Sequence, residues 1–381
     1  MKYEKIPQYI SFGLIASTIW LFTFCTKEPQ HDPDYGLQWA IRMAESVIVR
    51  NTNPNSMWND GTGLVLRGFE ELYLVTGERR YLKYIQDVID ATLNVSPPDS
   101  SIPKDLVKTP GHGRVLLFLY KETANQEYKK DADILFKQWQ QRIALESGLG
   151  WQKTRPYSIE LNSLGSCATF CVEYAELFDR PDAYDDIVSG LALSNRNLSD
   201  DSAGDNKYAQ FEFDMETLLN MEAQMLAFYT MALVDMLEHL PASHPSYESV
   251  VTTYQEMAKS IRNTQDKKSG LWWHRLEEND RGENYLKVSS SCLFTYALAK
   301  GVRKNYLETL YQRVAERAYD AILQHFVLEH PDGTLDFGKS DAADERRGKD
   351  SALSTPNNVQ SDFDEMGAFI NASIEIHKLN Q

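Results

Sequence analysis

Cysteine is scarce in this chain, with four residues among 381. Cys167 and Cys171 lie four residues apart in an apolar segment, which indicates buried thiols, and Cys292 stands alone. No C-x-x-C pair, zinc spacing or even disulfide framework is present. His325 and His330 are five residues apart, so they do not share a helix face as metal ligands would. We therefore expect no metal and no other cofactor.

Positive charge is also in short supply. Lysine and arginine together number 39 against 55 aspartates and glutamates, a net charge of −16. Nucleic-acid binding requires a basic face, so nucleic acid is excluded as a partner. The chain has no phosphate loop, dinucleotide fingerprint or G-x-S-x-G elbow. An anionic substrate would have to be held by local cations.

Long hydrophobic runs are missing outside the N-terminus. There, residues 10–24 are uncharged, follow Lys2 and Lys5, and end at Cys25. About fifteen mostly apolar residues are too few to span a bilayer comfortably and fit a signal peptide. We predict a signal peptide over residues 1–24 and a bacterial cell-envelope lipoprotein, periplasmic or in the outer membrane, lipidated at Cys25. Ordinary secretion and an uncleaved anchor are the alternatives, and a lipid anchor would be the only link to a membrane.

A recurring unit fills residues 34–381, which follow a linker at 26–33 and are predicted to form a single domain. In this unit an apolar helix ends in a short polar turn, and a tyrosine opens the next helix. The clearest copy is Leu64–Tyr84. The tyrosines recur every 47 to 63 residues, at Tyr81, Tyr128, Tyr184, Tyr247 and Tyr306. Self-similarity at such a period is typical of repeat architectures.

The helical segments sort into six pairs. Inner helices, apolar nearly all round as buried helices are, are predicted to begin near 63, 113, 165, 226, 290 and 366. Outer helices, charged on one face, are predicted near 34, 81, 128, 183, 246 and 306. The first and last helices lack sequence neighbours, so their pairing would close the chain. We predict an all-α (α/α)6 barrel of six helical hairpins. An open α-solenoid is the alternative, and no stretch alternates long enough to demand a sheet.

The connections from outer back to inner helices are long. They cover about 51–62, 95–112, 142–164, 195–225, 263–289 and 325–365. Connectors of this length without secondary structure of their own are commonly functional. In a closed barrel all six emerge at one end, so that end is predicted to hold the site.

Aromatic and charged residues are concentrated in these connections. Aromatic rings at a cleft mouth suit stacking on sugars, and local cations suit a carboxylate. Among the carboxylates we favour Asp105, because it precedes an inner helix whose start, GHGRVLL, has two glycines for close approach. The predicted substrate-binding residues are Trp58, His112, Trp151, Lys153, Tyr157, Glu160, Gln224, Trp272, His274 and Arg275.

Several segments resemble one family closely. MALVDMLEHLPASHPSYESVV, GLWWHRL, ENYLKVSSSCLFTYALAKGVRKNYL and DEMGAFINASIEI are similar to the unsaturated uronyl hydrolases of glycoside hydrolase families 88 and 105, and the similarity covers nearly all of residues 35–378. It implies an (α/α)6 barrel and removal of a 4,5-unsaturated uronic acid from oligosaccharides left by polysaccharide lyases. In that reaction an aspartic acid protonates the vinyl ether, water adds, and the hemiketal falls apart.

Two positions depart from the family pattern. The family's W-L-D-G motif, which carries the catalytic aspartate, reads here as Asn162–Gly165 with Leu164 at the aspartate position. The family's arginine before the M-A-L-V-D helix is replaced by Gln224. Leucine cannot donate a proton, and glutamine cannot pair with a carboxylate as arginine does.

The resemblance matches Asp105 to the family's other active-site aspartate and makes it the predicted proton donor. Glu160 or Glu222 would be its neighbours, and Arg275 or Lys153 would hold the substrate carboxylate. Two alternatives follow from the departures. One is a non-catalytic carbohydrate-binding barrel, and the other is an enzyme of different chemistry, such as an epimerase or a hydrolase of saturated uronides.

Overall fold

Helices dominate the part of the chain that the computed structural model describes. That part comprises residues 32–51, 62–94, 111–148, 158–185, 187–188, 222–276, 284–338 and 363–381. For residues 94, 111, 139–148 and 158–167 the description covers the backbone alone.

The helices alternate along the chain between two layers. They are α1 Tyr35–Arg50, α2 Thr62–Thr76, α3 Arg79–Asn94, α4 Gly111–Thr123, α5 Gln126–Gly148, α6 Ser158–Leu177, α7 Ala223–His239, α8 Tyr247–Thr264, α9 Val288–Arg303, α10 Leu310–His325 and α11 Phe363–Leu379. Residues 182–185 and 187–188 are also helical. Two short strands, β1 Val327–Glu329 and β2 Leu335–Phe337, follow α10.

Six helices form a closed inner ring. In ring order they are α2, α4, α6, α7, α9 and α11, and α11 packs against α2 to close the circle. Helices α3, α5, α8 and α10 pack outside α2, α4, α7 and α9, and α1 packs on α11. The predicted (α/α)6 barrel, closed by pairing of the first and last helices, is confirmed.

Burial explains which helices form which layer. Every residue of α9 from Val288 to Val302 is buried, as the apolar character of its sequence on all faces requires. In α10 the buried residues follow a helical stripe, and the opposite face carries charge. The buried set there is Tyr311, Ala315, Ala318, Tyr319, Ala321 and Ile322.

The recurring tyrosines hold the outer layer in place. The ring of Tyr81 is fully buried edge-on against Phe69, with ring centroids 5.7 Å apart. The hydroxyl of Tyr128 donates to Asp90 Oδ1 at 2.8 Å. The repeat therefore has a structural role, since Tyr81 and Tyr128 each bury a large ring and Tyr128 adds a polar contact to the preceding outer helix.

A small β-hairpin is the one place where the described structure departs in type from the prediction. β1 and β2 pair antiparallel, and the hairpin packs on α1. Ser46 Oγ accepts a hydrogen bond from Leu335 N at 2.7 Å, and Arg50 Nη2 donates to Leu335 O at 2.6 Å. The sequence did not indicate this hairpin, because three-residue strands are too short to show alternation.

All six inner helices begin before their predicted starts, by about one to seven residues. α4 begins at Gly111 and α6 at Ser158, rather than near 113 and 165. His112 and Glu160 therefore lie in the first turns of helices and not in connections.

The described residues from Pro33 onward belong to one compact unit. None of the helices in the described ranges combines the length and apolar character needed to cross a bilayer. The predicted signal peptide and Cys25 lie outside the described residues.

Candidate functional site

The N-terminal ends of the inner helices meet at one end of the barrel, and a short main-chain bridge links two of them there. Ala223 N, at the start of α7, donates to His274 O at 2.8 Å. His274 N donates to Tyr285 O at 2.7 Å, and Lys287 N, just before α9, donates to Trp272 O at 3.2 Å. We call residues 272–275 and 284–287 the rim bridge. The main-chain bonds of the rim bridge hold its residues in place between the starts of α7 and α9.

His274 is the most confined polar side chain of the rim bridge. Its ring stacks on Tyr285, with centroids 4.9 Å apart and planes 12° from parallel. Burial lowers the pKa of His274, with help from the charges of Lys287 and Arg275 and against the effect of Glu222. The lowered pKa of His274 favours the neutral imidazole at pH 7.

Two further polar residues stand at the start of α7, next to the rim bridge. Glu222 occupies the N-cap position, but its carboxylate does not bond to the helix. Instead, its Oε1 lies 3.8 Å from His274 Nε2, and the side chain is 56% exposed. Gln224 follows in the first turn and is half-buried. The main-chain bond from Ala223 N to His274 O thus brings the chain segments that carry the predicted site residues Gln224 and His274 next to each other.

Arg275 is exposed at the outer edge of the rim bridge. Its main chain is held by Asn284: Arg275 N donates to Asn284 Oδ1 at 3.0 Å, and Asn284 Nδ2 donates to Arg275 O at 2.8 Å. The main chain of Arg275 is therefore held in place, and Arg275 supplies a positive charge next to His274 in the rim bridge.

Trp272 does not suit the stacking role predicted for it. Its side chain is 0% exposed and its Nε1 donates to Ile261 O at 2.7 Å. Its ring packs against Phe294, with centroids 5.2 Å apart. Trp272 is therefore a core residue that anchors the rim bridge. His274, two residues further on, lies beside Glu222 and is partly exposed.

The start of α4 is tightly packed. Gly113 approaches α6 so closely that a Cβ there would lie 2.6 Å from the Phe170 ring, in keeping with the close approach expected of this segment. His112 beside it is 0% exposed. That burial does not suit the predicted contact between His112 and substrate, because no part of the side chain reaches the surface.

The other predicted site residues fall outside what the structure describes. They are Asp105, Trp58, Trp151, Lys153 and Tyr157, together with the side chains of Glu160 and Leu164. Among the described residues no group of three histidines, cysteines or carboxylates is placed to hold a metal ion.

Below the rim, ionic groups cross the inside of the ring. Arg67 Nη1 of α2 lies 2.5 Å from Asp235 Oδ2 of α7. Lys300 Nζ and the Tyr296 hydroxyl of α9 both donate to Asp235 Oδ1 at 2.7 Å. Burial would raise the pKa of Asp235, but Arg67 and Lys300 outweigh it and lower the pKa well below its usual range. We call Arg67, Asp235, Tyr296 and Lys300 the floor cluster.

A second buried group lies between α4 and α6. Arg114 Nε donates to Glu173 Oε2 at 2.7 Å, and Lys121 Nζ donates to Glu173 Oε1 at 3.0 Å. Glu70 lies beside them with its Oε2 buried and without a hydrogen bond. Burial raises the pKa of Glu70 to about 7, whereas the neighbouring cations lower that of Glu173 despite its burial.

Sequence reasoning missed both buried groups, although a signal for them was present. Asp235 and Lys300 each interrupt an apolar helix, in MALVDML and YALAKG. Charged side chains are almost never fully buried unless they are paired, so a charge within an apolar inner helix indicates a partner inside the ring.

The fold and site together define an (α/α)6-barrel protein with a polar rim at the inner-helix N-termini and an ionic floor beneath it. A sequence profile of Glycosyl Hydrolase Family 88 matches residues 37–380. The chain therefore belongs to Glycosyl Hydrolase Family 88, and the resemblance seen in its sequence is confirmed.

Several solved structures of glycoside hydrolases share the fold of this chain. A family 105 glycoside hydrolase from C. acetobutylicum is 25% identical, with a TM-score of 0.69 over 89% of this chain and 99% of that one. A family 88 glycosyl hydrolase from Bacteroides vulgatus is 17% identical, with a TM-score of 0.66 over 90% and 99%. The unsaturated glucuronyl hydrolase of Bacillus sp. GL1, responsible for the degradation of glycosaminoglycan, is 12% identical, with a TM-score of 0.55 over 80% and 88%.

Proposed function

We propose that this protein is a glycoside hydrolase of the unsaturated uronyl hydrolase type, which removes a 4,5-unsaturated uronic acid from oligosaccharides produced by polysaccharide lyases. Membership of Glycosyl Hydrolase Family 88 over residues 37–380 is the observation that carries the proposal. The C. acetobutylicum structure of a family 105 hydrolase, 25% identical over nearly its whole length, supports the same reaction class.

The shape of the ring fits action on a chain end. The floor cluster crosses the inside of the ring, so a sugar that enters from the rim meets charged and hydroxyl groups below it. Asp235 lies twelve residues beyond Ala223, which places it about 18 Å down α7 at 1.5 Å per residue. A ring blocked below by these groups would admit the terminal sugar of a chain first.

In the proposed reaction Asp105 is the proton donor. Its proton goes to the carbon–carbon double bond of the vinyl ether, water adds to the adjacent carbon and returns a proton, and the hemiketal opens to release the sugar. Because this is a hydration, the carboxylate spacing that separates retaining from inverting glycosidases does not apply. Trp58 and Trp151 would stack on sugar rings, and Lys153 or Arg275 would pair with the uronate carboxylate.

Replacing Asp105 tests the proposal. Asp105→Asn keeps the size of the side chain but removes its acid, so turnover of an unsaturated uronyl disaccharide should be lost. Loss of the double-bond absorbance measures turnover, and circular dichroism checks the fold. Asp87→Asn, on the exposed face of α3, is the matched control and should leave turnover intact. Undiminished decay with Asp105→Asn would refute the assignment.

A second candidate function is carbohydrate binding without catalysis. It is favoured by Leu164, which lies within α6 where the family pattern has its catalytic aspartate. Calorimetry with the same disaccharide separates the two functions. Heat of binding with no product after prolonged incubation would support a binding protein, and product formation would reject it.

We also propose a cell-envelope location, with the lipid carried by Cys25. Metabolic labelling with a radioactive fatty acid should mark the wild-type protein and not Cys25→Ser. Label retained by Cys25→Ser, or absent from both proteins, would contradict lipidation at this residue.

A further inference from the structure

Three polar side chains at the rim have polar atoms without a hydrogen-bond partner in the part of the chain described. The Glu222 carboxylate does not cap α7, and the only partner it has among the described residues is the His274 ring at 3.8 Å. The Gln224 carboxamide makes no hydrogen bond there, and His274 Nδ1 is buried without one. The buried His274 Nδ1 calls for a ligand or water, since leaving a buried polar atom unmet is costly, and Glu222 and Gln224 are exposed enough to bind a ligand.

The chemistry of the three groups matches hydroxyls. A carboxylate accepts hydrogen bonds from up to two adjacent hydroxyls, while a carboxamide and a neutral imidazole each donate and accept. The charged groups that face the His274 ring are Glu222, Arg275 and Lys287. Glu222 is the one within 4 Å of it, so a ligand carboxylate bound at this point would meet like charge.

The height of this cluster in the barrel indicates which sugar it meets. Glu222 is 56% exposed and Arg275 is exposed, so the cluster lies at the entrance, well above the floor cluster. If the unsaturated uronic acid enters first, as the proposed function requires, the rim contacts the sugar behind it. That sugar is the one the reaction releases.

We propose that Glu222, Gln224 and His274 form a subsite for the hydroxyl groups of a neutral sugar, the one released from the unsaturated uronic acid. This rests on the proposed function for the identity of the terminal residue. His274 and Tyr285, whose rings stack, give the subsite a rigid wall, and the main-chain bonds of the rim bridge fix its position.

Two substrates separate this subsite from the rest of the site. One is an unsaturated uronyl disaccharide with a neutral pyranose as the leaving sugar, and the other is the methyl glycoside of the same unsaturated acid. With Glu222→Gln and with Gln224→Ala we expect KM for the disaccharide to rise about tenfold with kcat nearly unchanged, as loss of a ground-state hydrogen bond predicts. The methyl glycoside has no hydroxyls at this position, so its KM should not change.

A matched control is Glu248→Gln, which removes an exposed charge at the opposite end of the barrel and should change neither KM. Equal effects of Glu222→Gln on both substrates, or no effect on either, would overturn the subsite. If the wild-type protein turns over neither substrate, the proposed function fails. Calorimetry with the saturated neutral-sugar disaccharide then decides the subsite separately: binding weakened by Glu222→Gln supports it, and binding that is unchanged or absent refutes it.

Discussion

Arg67 and Asp235 are bonded to each other across the inside of the barrel. Their helices, α2 and α7, are three places apart in either direction around the six-helix ring, yet Arg67 Nη1 lies 2.5 Å from Asp235 Oδ2. Both residues are buried, with 9% and 1% of their surfaces exposed. This contact ties opposite walls of the ring together, and Tyr296 and Lys300 of α9 join it from the side.

Removing Asp235 should therefore be costly. In Asp235→Ala, Arg67 would stay buried without its carboxylate and Lys300 would keep only Glu238, and breaking such a buried pair typically costs about 3–5 kcal/mol. Urea unfolding followed by circular dichroism measures the free energy of unfolding. Asp182→Ala, which breaks the exposed pair with Arg180, is the control and should change stability little. Equal losses of unfolding free energy in the two variants would contradict the idea that burial makes the Asp235 pair more important for stability than an exposed pair.

Glu70 should make stability fall as the pH rises. Burial raises its pKa in the folded protein from 4.5 to about 7, so between these values the folded state holds a proton that the unfolded state has lost. Stability due to this group is full below pH 4.5 and declines by up to about 1.4 kcal/mol per pH unit until pH 7. Glu70→Gln should remove that decline, as measured by urea unfolding at pH 5 to 8.

Glu71 is the control for that experiment. Burial would raise its pKa, but the Lys378 ammonium, 2.5 Å away, lowers it on balance. Its contribution is therefore present above pH 4.5 and is lost as the pH falls below that value. Glu71→Gln should lower stability by a similar amount throughout pH 5 to 8 and change the slope of the stability curve only below pH 4.5. A wild-type decline between pH 5 and 7 that persists in Glu70→Gln would assign it to another group.

Trp272 should behave as a core residue. Trp272→Ala removes a fully buried indole and its bond to Ile261, so a loss of about 3–5 kcal/mol is expected. Trp272→Phe keeps most of the packing and should leave KM for an unsaturated disaccharide unchanged, because the ring does not reach the surface. A large rise in KM in a stable, folded Trp272→Phe variant would restore the stacking role.

The Gly113 contact predicts a compensating pair of substitutions. A Cβ at Gly113 would lie 2.6 Å from the Phe170 ring, so Gly113→Ala should destabilise the barrel by about 1–3 kcal/mol through overpacking. Combining it with Phe170→Leu should recover part of that loss, because the smaller side chain makes room. A double-mutant cycle of unfolding free energies checks this, and simple additivity of the two losses would contradict direct contact.

Much of the fold can be predicted from the sequence because it depends on local periodicity. Helices that are apolar on all faces alternate with helices that are charged on one face. Two concentric layers bury the first kind completely and leave the charged face of the second kind exposed to water. The tyrosines from Tyr81 to Tyr306 mark where each outer helix begins, to within a few residues of the observed starts. The pairing of α1 with α11 also follows from the number of predicted helices, because the first and the last helix would otherwise have no partner in a hairpin.

The site was harder to predict. Trp272 and His274 stand two residues apart in one connection, and both were predicted to contact substrate. The structure buries the first against Phe294 and turns the second toward Glu222. The main-chain hydrogen bonds of His274 with Tyr285 and Ala223 fix the conformation of this connection. Both partners belong to other segments of the chain.

The sequence by itself determined the helices, their order, their division into two layers and the family to which the chain belongs, since these depend on residue patterns along the chain. The tertiary structure alone decided which charges meet inside the ring. Arg67 and Asp235 are 168 residues apart, and neither could be buried without the other. Only closure of the six-helix ring brings their helices face to face, and with them the floor beneath the rim where Glu222, Gln224 and His274 lie.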